Sequence, residues 1–65
     1  MHIAIVNFLT NKAIYKESDF VPQVGTMVDA DYQPCPKVKD VLNWPSVETC
    51  KTTKINVVDV IVFVE

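Results

Sequence analysis

The sequence predicts a mainly β protein: a small five-stranded, curled antiparallel sheet or partly open barrel, with at most one short helix near residues 36–43. Three observations carry that expectation. The C-terminal stretch 55–65 is dominated by valine and isoleucine, whose β-branched side chains suit a pleated surface better than a helix. The N-terminal stretch alternates apolar side chains in the same way. Short polar or proline-bearing breaks punctuate the chain between these runs. At 65 residues the chain is one domain, 1–65. A domain that short buries only about 60% of the surface its unfolded form exposes, so some additional source of stability is expected.

Taken in order, residues 2–9 form the first strand, with Ile3, Ile5 and Leu9 on one face and Ala4, Val6 and Phe8 on the other. Thr10, Asn11 and Lys12 form a polar break, and Ala13, Ile14 and Tyr15 resume. That pattern predicts a hairpin centred on Asn11, with a second strand at 13–17. Residues 19–25 hold Pro22 and the only glycine, Gly25, and are expected to arch into a third strand at 25–30. A turn at Asp29 to Asp31 follows, then Tyr32, and then Cys35 between two prolines. Residues 37–43 read better as a strand than as a helix, and Trp44-Pro45-Ser46 ends them. The polar segment 47–54 is expected to be a loop leading into the last strand, 55–64.

In that last strand Val58, Val60, Val62 and Val64 fall on one face, with Ile55, Val57, Ile61 and Phe63 on the other. Both faces are apolar, so both need cover. A solitary small barrel can cover only one. The expectation is therefore a homo-oligomer, a dimer or a multiple of two, whose interface is Val58, Asp59, Val60, Val62 and Val64. Asp59, a carboxylate among valines, reads either as a charge that blocks register slips and edge aggregation or as part of that subunit contact.

Charge narrows the partners. The net charge is -2 and all six basic residues are lysines. Without arginine forks or a basic face, duplex nucleic acid is not an expected partner, whereas a protein or a small nucleotide is. No apolar run reaches the about 18 residues that a membrane span needs. The opening residues read as a strand rather than a signal peptide, which points to a reducing cytosol. A Cys35–Cys50 bridge would stabilise by about 3 kcal/mol, but free thiols fit that compartment better.

Chemistry-bearing residues are few. His2, Cys35 and Cys50 lack metal-ligand spacing, so no metal or cofactor is expected. Asp29 and Asp31 are the sole candidate acid–base pair, and a solvated turn explains them. The expectation is a protein that is not an enzyme and has no catalytic residues. One set suits a small ligand: Tyr32 and Trp44 as ring platforms, with Lys51, Thr52, Thr53 and Lys54 as candidate phosphate-holding groups.

Phe20-Val21-Pro22-Gln23-Val24-Gly25-Thr26-Met27-Val28, followed by Tyr32, the 37–44 stretch and the valine-rich terminus, resembles small uncharacterised β-barrel accessory proteins of bacteriophages and mobile elements. The likeness covers about the last two thirds of the chain. It departs at Asp29-Ala30-Asp31, where similar layouts usually carry a glycine. The resemblance implies a compact β fold in the cytosol of a bacterial host. It further implies inhibition of a host defence, by binding a protein or alternatively by sequestering a nucleotide signal; a pocket for such a signal is expected between subunits near Trp44 and residues 49–54. It carries over no catalytic residue.

Overall fold

A computed structural model describes all 65 residues. Four strands, β1 (His2–Asn7), β2 (Ala13–Glu17), β3 (Val38–Asn43) and β4 (Val60–Val64), form one sheet, and a helix, α1 (Val47–Thr53), precedes β4. The order across the sheet is β2-β1-β4-β3. Both outer pairs are antiparallel, and the central pair, β1 with β4, is parallel. The greasiest strands take the centre because only there are both faces of a strand shielded. Ile3, Ala4, Ile5 and Val6 of β1 and Val60, Ile61 and Val62 of β4 are all buried. Parallel partners need a long crossover, and here it comprises β2, the excursion over residues 18–37, β3 and α1.

That crossover supplies the cover for both faces. On one side Ile3, Ile5, Val60, Val62 and Val64 pack with Val38 beneath the excursion, which contributes Ala30, Val21 and Val28. On the other, Ala4, Val6 and Ile61 lie with Cys50 of α1 and with Val58. The expected interface is therefore interior. Val58, Val60, Val62 and Val64 are 8%, 1%, 0% and 0% exposed in the single chain. The need for a second copy to shield them disappears.

The helix is the main departure from expectation. It occupies 47–53, where a polar loop was expected, and 36–43 holds no helix. Ser46 caps it, its Oγ accepting from the Thr49 N–H at 3.1 Å, with Glu48 in the positive first turn. Lys54 ends it in the left-handed region, donating its N–H to the Cys50 and Lys51 carbonyls. Seven residues would not hold a helix in water. Burial of one side chain, Cys50, in the apolar layer with Ala4, Val6, Val58 and Ile61 ties it to the sheet.

Four strands replace the expected five, the sheet is mixed rather than antiparallel, and it does not close into a barrel. The missing strand, 25–30, is reduced to a single bridge between Met27 and Lys37. Gly25, at φ 91, turns the chain there, donating to the Val38 carbonyl at 2.9 Å while Thr26 accepts from the Val38 N–H at 2.8 Å. The 37–43 stretch is a strand, beginning at Val38, with a bulge between Val38 and Asp40. The β1–β2 hairpin forms around Asn11 as expected, although β1 ends at Asn7 rather than at residue 9 and leaves Phe8 and Leu9 exposed. Asn7 Oδ1 accepts from the Leu9 and Thr10 N–H groups, and Asn11 takes φ 59. Cys35 and Cys50 are free thiols.

The packing of Cys50 sets two outcomes. A thiol reagent modifies Cys35 in the native protein and reaches Cys50 only on unfolding. In urea denaturation Cys50→Ser costs about 1–3 kcal/mol, because a hydroxyl is buried in an apolar layer. Gly25→Ala costs roughly 1–2 kcal/mol through backbone strain alone, since a Cβ at that position would meet nothing within 4 Å.

Candidate functional site

The ligand set suggested by the sequence is not assembled. Tyr32 lies on the Ala30 side of the sheet, its hydroxyl accepting from Asn7 Nδ2 at 3.1 Å. Thr52, Thr53 and Lys54 lie on the helix side, lining a cleft of about 340 Å³ with Phe8, Asn11 and Phe63. Trp44 stands at the corner between β3 and α1, and Lys51 is exposed on α1. The threonines also face a chemical obstacle. Their hydroxyl protons go to the Glu48 and Thr49 carbonyls, each at 2.9 Å, so neither has a proton left for a phosphate. Phe8 meets Phe63 edge-on at 6.2 Å, and the Lys39 ammonium lies 5.0 Å from the Phe8 ring centre.

Asp59 is not a member of the β4 ladder. It sits in the bend just before β4, half-buried and outside the chain's ion pairs. Its Oδ2 accepts from the His2 N–H at 2.9 Å, and its own N–H donates to the His2 carbonyl at 2.9 Å. Its carbonyl accepts from the Trp44 N–H at 2.8 Å. One residue thus ties the start of β1 to the end of β3. The bend it makes also sends Val58 to the helix side, breaking the alternation expected from sequence.

Beside that clamp is an open group of large apolar side chains. Within residues 42–47, Leu42, Trp44 and Val47 are 39%, 74% and 53% exposed. Trp44 is held at φ 52, a region that costs a non-glycine residue about 1–2 kcal/mol. The following Pro45 restricts its backbone further.

The carboxylates Asp29 and Asp31 serve a lysine. Lys16 Nζ lies 2.7 Å from Asp31 Oδ1 and 3.7 Å from Asp29 Oδ2. The hydrogen bond to Asp31 holds the Lys16 ammonium above the ordinary value of 10.5, opposed by partial burial and assisted by the charge of Asp29. This pairing pins the excursion to β2. Next to Lys16 at the end of β2, Glu17 pairs with His2 Nδ1 at 2.8 Å and with the Met1 amino group at 3.2 Å. No three His, Cys, Asp or Glu side chains converge to hold a metal ion. No helix is long and apolar enough to cross a membrane.

Against known proteins, the chain matches no family model, no curated protein and no solved structure. Its chemistry is read from its own side chains.

Two outcomes test this geometry. Because folding raises the Lys16 value, its contribution to stability is complete below pH 10.5 and is lost as pH rises through the raised value. Lys16→Met therefore lowers the denaturation midpoint at neutral pH, and the gap from wild type closes in strongly alkaline solution. Asp59→Ala costs about 1.5–3 kcal/mol in urea denaturation, the range for a hydrogen bond to a charged group.

Proposed function

We propose that this protein is a non-catalytic binding module whose partner is another protein, docked on the corner formed by Leu42, Trp44 and Val47. One observation carries the reading: a tryptophan sits in a strained backbone conformation that its own fold does not reward with burial. Exposed aromatic anchors flanked by aliphatic side chains are the usual centres of protein interfaces, where a handful of residues supplies most of the affinity. Leu9, Phe20 and Met27 are comparably open, but none is held at positive φ. The resemblance to bacteriophage accessory proteins points to a protein of a bacterial host, such as a component of a defence system, as the partner. Self-association is not needed for this reading, since β4 is covered within one chain.

Sequestration of a small nucleotide near residues 49–54 draws less support. The threonine protons there are already donated, and the cleft lies at the helix end where carbonyls gather.

Trp44→Gly separates function from fold. Glycine accepts φ 52 without strain, so the variant is as stable as wild type or up to about 1 kcal/mol more stable by thermal denaturation. The same variant loses the partner by about 2 kcal/mol or more, some 30-fold in affinity. The comparison is made by retention from a bacterial lysate on wild-type, Trp44→Gly and Phe20→Ser proteins. A partner held by wild type and Phe20→Ser but not by Trp44→Gly supports the proposal, and equal retention by all three overturns it.

A further inference from the structure

We infer a second binding site, independent of the Trp44 corner and on the opposite face of the sheet: a cleft that takes a small amphipathic carboxylate. The cleft lies between the β1–β2 turn and the Ala30–Tyr32 segment and measures about 340 Å³. Its floor is apolar, made by Ile5, Ile14, Ala30 and Val64.

The rim is polar in one sense only. Tyr32 accepts a hydrogen bond from Asn7 Nδ2 at 3.1 Å and keeps its own hydroxyl proton to give. Thr10 Oγ1 accepts from the Lys12 N–H at 3.4 Å and likewise keeps its proton. The Lys12 ammonium belongs to none of the chain's ion pairs. The acceptor of Asn7, its Oδ1, is already taken by the Leu9 and Thr10 N–H groups. No aspartate or glutamate lines the cleft. Three donors with protons to spare, one of them cationic, therefore surround an apolar floor.

Such a rim is complementary to a group that only accepts hydrogen bonds and carries negative charge. The floor is complementary to a hydrocarbon body. At about 30 Å³ for each water-sized group, the volume admits roughly ten non-hydrogen atoms, the size of a medium-chain or aromatic carboxylate. The neighbouring cleft of about 480 Å³ differs in kind, because its cation, Lys16, is neutralised by Asp29 and Asp31 and Glu17 also lines it. The Phe8–Phe63 cleft offers Lys54, but its threonine protons are spent.

The test is an NMR titration of the ¹⁵N-labelled protein with octanoate, its neutral analogue octanamide, and acetate. Octanoate is expected to shift the amides of Asn7, Thr10, Lys12, Ile14 and Tyr32. Octanamide and acetate are expected to bind at least tenfold more weakly, one lacking the charge and the other the hydrocarbon. Lys12→Met, at an exposed side chain, brings octanoate down to the octanamide level and leaves octanamide unchanged; Tyr32→Phe weakens octanoate severalfold. Equal binding of octanoate and octanamide overturns the inference. So does equal binding of acetate, a shift pattern centred on Phe8 and Phe63 or on Phe20 and Val21, or no shift at millimolar octanoate.

Discussion

Burial of the parallel β1–β4 pair on both faces is the constraint on which the remaining features depend. A parallel pair carries hydrophobic side chains above and below and cannot leave either side wet. In a longer α/β protein a full helical layer covers each face. Here one face receives an irregular excursion, residues 18–37, and the other a helix of seven residues and the segment leading from it. Neither cover has much stability of its own, so each is fastened at points by polar contacts: Lys16 to Asp31, Tyr32 to Asn7, and Tyr15 Oη accepting from the Asn56 N–H at 3.1 Å.

The apolar pattern was enough to place the two central strands, the hairpin at Asn11 and the strand at 37–43, but it overran both central strands: β1 ends at Asn7 rather than 9, and β4 spans 60–64 rather than 55–64, with Val57 exposed. It was also enough to show that 55–64 is greasy on both sides. What could not be read was where the second cover comes from. The helix has no amphipathic stripe for periodicity to detect. Only Cys50 among its seven residues is buried, and threonines, weak helix formers, occupy three positions. The legible signal was at its start, where Ser46 is followed three residues later by Thr49, whose N–H it caps. The polar composition of 47–54 reads as a loop, and without the helix the second face of β4 lacks a cover from its own chain.

The scattered ligand set has the same origin. A loop over 47–54 would bring Lys51, Thr52, Thr53 and Lys54 together around one point beside Trp44. A helix spreads them around its axis and turns the threonine hydroxyls inward to the preceding turn. The cleft lined by Tyr32 was invisible for another reason. It needs Asn7, Thr10 and Lys12 from a hairpin turn to meet Ala30 and Tyr32 from the excursion, and no local spacing encodes that meeting.

The four non-glycine residues at positive φ show how backbone strain separates structural from functional positions. Asn11 sits in a hairpin turn, and asparagine tolerates the left-handed region. Asp31 is of the same tolerant type, and its N–H donates to Asp29 Oδ1 at 3.0 Å, an arrangement that closes a local turn. Lys54 ends α1, where a left-handed residue satisfies otherwise unpaired carbonyls. Each therefore has a local reason for its conformation. Trp44 shares only the hydrogen bond from its N–H to Asp59, which asparagine or glycine would make at lower cost. Its ring finds no compensating burial within the chain, and that uncompensated strain is the ground on which the docking proposal rests.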